Sequence, residues 1–115
     1  MVIASGGFAG LAGYLPGNMT TVLHEVRDNR ARARYELFVD GQLVGIADYR
    51  VEGEVVVLPH TEIVRARRGR GLGALLVRGA LDDVRAAGRS VVAQCWFVAE
   101  FIDTHPDYRE LLRTE

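Results

Sequence analysis

Apolar residues along this chain keep two different periods, and the period changes near residue 70. Ala31, Ala33, Tyr35, Leu37 and Val39 alternate with Arg32, Arg34 and Glu36. A period of two with a polar opposite face is the mark of a half-buried strand. Asp40-Gly41 follows, a dipeptide that suits a tight hairpin because both central residues take positive φ. Leu43, Gly45, Ala47, Tyr49 and Val51 then alternate with Gln42, Asp48 and Arg50, and Glu52-Gly53 turns the chain again. Val55 to Leu58 is a continuous apolar run, as expected of a strand covered on both faces. With Val22 to Arg27 as an earlier strand ending at Asp28-Asn29, the first half reads as an antiparallel meander.

After Gly73 the apolar residues fall at Leu76, Val77, Ala80, Leu81, Val84 and Ala87, which is helical spacing, with Arg78, Asp82, Asp83 and Arg85 on the solvent side. Gly88 supplies the C-cap. Val91 to Ala93 reads as a strand running to Cys95, Phe97 to Asp103 as a helical turn or two, and Pro106 to Leu112 as a last short helix opened by proline. The fold class is therefore α+β, a meander followed by a β-α-β unit and short C-terminal helices. The β-α-β unit from Val55 to Ala93 should cross over right-handedly and place its strands parallel. Ligands in such sheets bind at the carboxyl ends of the strands. That predicts a site with Pro59 to Gly73 on one side and Cys95 on the other.

Composition narrows the class. At 115 residues the chain has the length of one domain. Its 25% of charged residues and net charge of -1 exclude neither a core nor solubility, and argue against a general affinity for nucleic acid. One cysteine, Cys95, permits no intramolecular disulfide and no cysteine-rich zinc site, and three histidines are too few for a metal centre, so no metal is expected. No apolar stretch is long enough for a membrane helix, and a cytoplasmic setting is expected. Met1 to Asn18 carries no charged residue and is rich in Gly and Ala. It reads as a disordered extension or as a start called too early, with Met19 the true start, leaving residues 19–115 as the domain.

The segment Arg67-Arg68-Gly69-Arg70-Gly71-Leu72-Gly73 lies between a predicted strand and the predicted helix. Successive amides in such a loop can point into one concavity, and the helix N-terminus adds partial positive charge. Glycine allows phosphate oxygens to approach the backbone. The chemistry suits a diphosphate. A Gly-Lys-Ser/Thr ending is absent, so this is not a Walker loop. Arg65, Arg67, Arg68 and Arg70 form a positive patch narrower than a phosphate-tracking protein needs, so no specific nucleic acid is expected.

The spacing of Arg68, Gly71 and Gly73 resembles the acetyl-CoA loop of the GNAT superfamily of N-acetyltransferases. The wider sequence resembles its small YjdJ-like branch in four segments taken in order. They are His60-Thr61-Glu62-Ile63-Val64, Arg68 to Gly73, Cys95 closing the next strand, and His105-Pro106-Asp107-Tyr108. The resemblance runs from about Thr21 to Leu112. It implies a GNAT-like fold in which two parallel strands splay at their carboxyl ends. The pantetheine arm of acetyl-CoA would pair with Glu62, Ile63 and Val64, and the pyrophosphate would rest on Gly69, Arg70, Gly71, Leu72 and Gly73 beside Arg68. Where the branch usually has Pro or Ser after the cysteine, this chain has Trp96, which bears on the acceptor side.

The expected activity is transfer of acetyl from acetyl-CoA, as co-substrate, to a primary amine on a protein or small molecule. The alternative is a non-catalytic module that binds CoA or an acyl-CoA. His60 and Cys95, near the ends of two neighbouring strands, are the candidate catalytic residues. In one form His60 is a general base for an amine that attacks the thioester directly, since imidazoles as a class titrate near working pH. In the other, Cys95 is itself acetylated, activated by His60. Glu62 is a reserve base, while His24, His105 and Tyr108 read as structural. Asp28-Asn29-Arg30 leaves no room for the helices that wall the acceptor pocket in larger members. An open cleft suits a protruding amine, and a second subunit, in a homodimer, could complete it.

Overall fold

The computed structural model describes residues 2–3 and 22–113. The extension expected over Met1 to Asn18 thus lies outside the described residues, apart from a two-residue strand, β1 (Val2–Ile3). The other strands are β2 (His24–Asn29), β3 (Arg34–Val39), β4 (Gln42–Glu52), β5 (Val55–Ile63) and β6 (Ser90–Ala93). They form one sheet in chain order. β1 runs parallel to β2, β2 to β5 form an antiparallel meander, and β5 and β6 are parallel. Helix α1 (Leu72–Ala86) makes the crossover, and α2 (Trp96–Asp103) follows β6. This is the expected α+β arrangement.

The local rules act where the sequence placed them. Asp40 and Gly41 turn the β3–β4 hairpin with φ of 49° and 83°. At the end of α1, Gly88 N–H donates to Arg85 O and Arg89 N–H to Val84 O, the paired closure of a Schellman cap. Pro106 opens a 3-10 helix over Pro106–Leu111.

Several boundaries differ from expectation: β2 starts at His24 and runs to Asn29, so Asp28 and Asn29 lie in the strand and not in a turn, and two differences are larger. Ala31 and Ala33 are not in a strand. Arg30–Arg32 is a 3-10 turn whose Arg32 N–H donates to the Asn29 side chain at 3.2 Å, and Ala33 takes a left-handed φ of 51°. Small alanines bury too little area to hold an alternation in a strand against a capping asparagine. β5 is also longer than Val55 to Leu58, continuing to Ile63 through an irregularity. Asp48 pairs with His60 but Arg50 with Val57, so Leu58 and Pro59 together face Tyr49. This is a β-bulge, a position where a proline costs no ladder bond.

The apolar stripe of α1 packs on one face of the sheet. Leu72, Leu76 and Ala80 meet Val26, Leu37, Val39, Val44 and Ala47. Val77, Leu81 and Val84 join Val56 and Leu58 with Val98, Phe101 and Ile102 of α2. Leu76 and Leu81 are fully buried, each worth roughly 2 kcal/mol of transfer free energy. Gly79 lets α1 ride directly on β2, since a Cβ there would stand 2.8 Å from Val26 Cβ.

Candidate active site

The site begins where β6 leaves β5. The two strands pair only over Val55–Leu58 and Ser90–Ala93, and the last link is Cys95 N–H donating to Leu58 O at 2.9 Å. Beyond it, among the described residues, β5 keeps only β4 as a neighbouring strand. Val64 N–H donates to Val44 O at 2.8 Å, and the register pairs Ile63 with Gly45 and Thr61 with Ala47. By the alternation of an antiparallel ladder, Thr61 and Ile63 turn their main-chain groups away from β4, toward the open edge. Arg68 Nε takes one of these groups, donating to Ile63 O at 2.9 Å. The guanidinium thereby ties the loop to the strand.

Past Val64 a 3-10 turn, Arg65–Arg67, leads into the glycine loop. Gly69 and Gly71 have φ of 80° and 76°, the left-handed region that costs a side chain about 1–2 kcal/mol. Open space lies around both. Gly71 is the N-cap of α1, with no side-chain cap and no acidic residue in the first turn. The first amides of a helix have no intrahelical partner. Here they meet the cleft with the positive end of a 15-residue helix dipole behind them. Such a helix start is suited to an anion.

Strand β5, the loop and the start of α2 enclose a cleft of about 880 Å³. His60, Thr61, Glu62, Ile63, Arg68, Gly69, Gly71, Leu72, Gly73 and Cys95 all line it, so the fold gathers these segments in one place. Val64 and Arg70 do not line it: Val64 caps the 3-10 turn, and Arg70 is an exposed residue between the two left-handed glycines. The lining takes in Pro59, inside the segment the sequence pointed to, and adds Ala74 and Phe97, which sequence reasoning missed. Phe97 left no signal, because its seat is the vacancy beside Gly73, where a Cβ would lie 2.8 Å from Phe97 Cζ.

His60 and Cys95 belong to separate pairs. His60 Nε2 lies 3.1 Å from Glu62 Oε1, and both side chains are about half exposed, 53% and 55%. The Cys95 thiol donates to Thr61 Oγ1 at 3.7 Å. Ile63 packs with the α1 cluster. Alternation therefore puts Thr61 on the helix side of β5 with Ile63, and His60 and Glu62 on the other.

The residues read as structural have structural partners. His105 Nδ1 lies 2.7 Å from Phe101 O, and its ring stacks on Phe101. Tyr108 is buried and donates to Asp82 Oδ1 at 2.6 Å. Burial, then that bond, pushes its phenol pKa up. A second cleft of about 760 Å³ lies at the far end of α1. There Tyr35 donates to Asp83 and Tyr49 to Asp28, each at 2.7 Å. Among the described residues, no group of three or more His, Cys, Asp or Glu stands together as a metal site, and no helix is long and apolar enough to cross a membrane.

Comparison with known proteins agrees with this geometry. Residues 34–111 match the family of GCN5-related N-acetyl-transferases. Protein NATD1 of Bos taurus is 31% identical over 84 residues, covering 70% of this chain and 74% of that protein. The human NATD1 is 30% identical over 84 residues, with the same coverage of 70% and 74%. A GCN5-like protein from Staphylococcus aureus superposes with a TM-score of 0.57 at 16% identity, covering 72% of this chain and 83% of that one. An acetyltransferase of the GNAT family from Streptococcus pneumoniae gives 0.52 at 18% identity, covering 68% of this chain and 54% of that one. The chain belongs to the GCN5-related N-acetyl-transferase family, which makes it an acyltransferase.

Proposed function

We propose that the protein transfers acetyl from acetyl-CoA directly to a primary amine, without an acetyl-cysteine intermediate. The observation that carries this reading is the pairing of His60 with Glu62 at 3.1 Å, while the Cys95 thiol donates to Thr61. Among the described residues no base stands on the thiol, whereas the imidazole has a carboxylate within hydrogen-bond distance. The pyrophosphate sits on the amides of Gly69 to Gly73 beside Arg68, and the pantetheine arm pairs with the open edge at Thr61 and Ile63. The donor carbonyl then lies between the ends of β5 and β6.

His60 takes a proton from the incoming ammonium. The neutral nitrogen attacks the thioester carbonyl, the C–S bond breaks, and the second amine proton is lost as the amide forms. Cys95 lines the sulfur end of the gap and can hand a proton to the departing thiolate, recovering it from solvent.

Thiol release from acetyl-CoA in the presence of a panel of primary amines tests this. His60→Ala should lower kcat by about 10²-fold or more, the usual worth of a general base. Cys95→Ser should keep turnover, and mass spectrometry of the intact protein should find no acetylated Cys95. An acetyl-Cys95 species formed at a competent rate overturns direct attack. Full activity in His60→Ala removes the base. Binding of acetyl-CoA with no turnover on any amine would favour a binding module.

A further inference from the structure

Trp96, the only tryptophan, is 73% exposed at the first position of α2 and lines the same cleft as His60 and Glu62. An indole left in water forgoes the burial that usually holds this residue. Its ring contact is with Phe97, at 5.9 Å between centroids and 83° between planes. A near-perpendicular contact leaves at least one broad indole face open. Phe97 is itself braced on the first turn of α1 at Gly73, so the indole stands on a seated neighbour. The cleft is also electrically two-ended. Among the described lining residues, Arg67 and Arg68 are the cations, on the glycine loop, and Glu62 is the carboxylate, on β5.

We propose that Trp96 and Glu62 select the acceptor as an ammonium group on an unbranched alkyl stem. The inference rests on the acetyl-transfer reading above and adds the substrate class. An open aromatic face attracts a cation through its quadrupole and packs against methylenes. The Glu62 carboxylate supplies the opposite charge and already holds the imidazole that must take the proton. A lysine side chain and a free alkyl diamine share this chemistry.

The test is steady-state transfer at saturating acetyl-CoA to an N-blocked lysine peptide and to 1,5-diaminopentane, with wild type, Trp96→Ala and Trp96→Phe. Trp96→Ala should raise the acceptor KM about tenfold, within the span expected of cation–aromatic contacts. Trp96→Phe should raise it far less, and the KM for acetyl-CoA should not move. Pentyltrimethylammonium, which cannot be acetylated, should compete with the acceptor and shift the indole fluorescence. Better use of the peptide than of the diamine assigns the stem to a protein, and the reverse assigns it to a small polyamine. An unchanged acceptor KM in Trp96→Ala, with wild type turning over, overturns the inference and leaves acetyl transfer standing. Wild type that binds acetyl-CoA but acetylates no amine overturns the transfer reading first, and this inference with it.

Discussion

Replacing Gly79 with alanine is a sharp test of how α1 is held over the sheet. The added Cβ would lie 2.8 Å from both Cβ and Cγ2 of Val26, and 3.0 Å from Cγ1. Carbon atoms in favourable contact stand about 3.5–4.0 Å apart, so α1 must lift by about 0.7 Å or more. Val26 cannot yield, because its Cβ is fixed by the β2 backbone and it is fully buried. Overpacking of this kind costs about 1–3 kcal/mol. Alanine in a helix interior returns about 1 kcal/mol relative to glycine. The expected net loss is therefore about 1 kcal/mol, up to about 2. Urea unfolding should show a lower midpoint with an unchanged slope. Val26→Ala should rescue only in part, because its own Cβ stays at the clashing position. A Gly79→Ala variant as stable as the parent, or more stable, would refute the argument that close approach fixes this glycine.

Three further outcomes follow from single positions. Gly71→Ala must hold a left-handed φ of 76° at the N-cap of α1, and calorimetry should show acetyl-CoA affinity reduced by about tenfold, matching about 1–2 kcal/mol of strain. Ala33→Gly relieves a non-glycine φ of 51° and should raise stability by about 0.5–1 kcal/mol in thermal unfolding, the strain relieved less the entropy glycine adds to the unfolded chain. Burial, then the bond to Asp28, pushes the Tyr49 phenol up to about 12. An unfolded tyrosine titrates near 10. The stability Tyr49 lends is thus full below about pH 10 and is lost as pH rises through about 12; in Tyr49→Phe the fall in unfolding free energy across that window should be shallower.

Much of the frame could be read from the residues because local rules and burial agreed there. Tyr35, Leu37 and Val39 alternate on a strand that is covered on one face. The stripe from Leu76 to Val84 meets the sheet, and Asp40-Gly41 and Gly88 carry their own backbone chemistry. The glycine loop was legible for the same reason. The extent of β5 was not, since Pro59 and the polar His60, Thr61 and Glu62 look like a loop unless a bulge is known to precede them. The pairing of His60 and Cys95 with different partners was hidden too. Strand ends can be read from pattern, but the side each residue faces depends on a one-residue irregularity. Gly73 was read as room for phosphate, whereas the seat of Phe97 is a tertiary fact that only packing reveals.

The bulge at Leu58 and Pro59 is a parity device. Ahead of it, Val56 and Leu58 present even-numbered side chains to the helices; after it, the odd-numbered Ile63 does so. One continuous strand thus spends its first half on the core and its second on chemistry, with the same sheet edge serving both. Were Leu58 and Pro59 to alternate as ordinary strand residues, Thr61 and Ile63 would leave the core side and His60 and Glu62 would enter it. Excising Pro59 removes the extra residue itself, so Leu58, Thr61 and Ile63 would share the core side of a regular ladder and the faces of the site should survive the deletion.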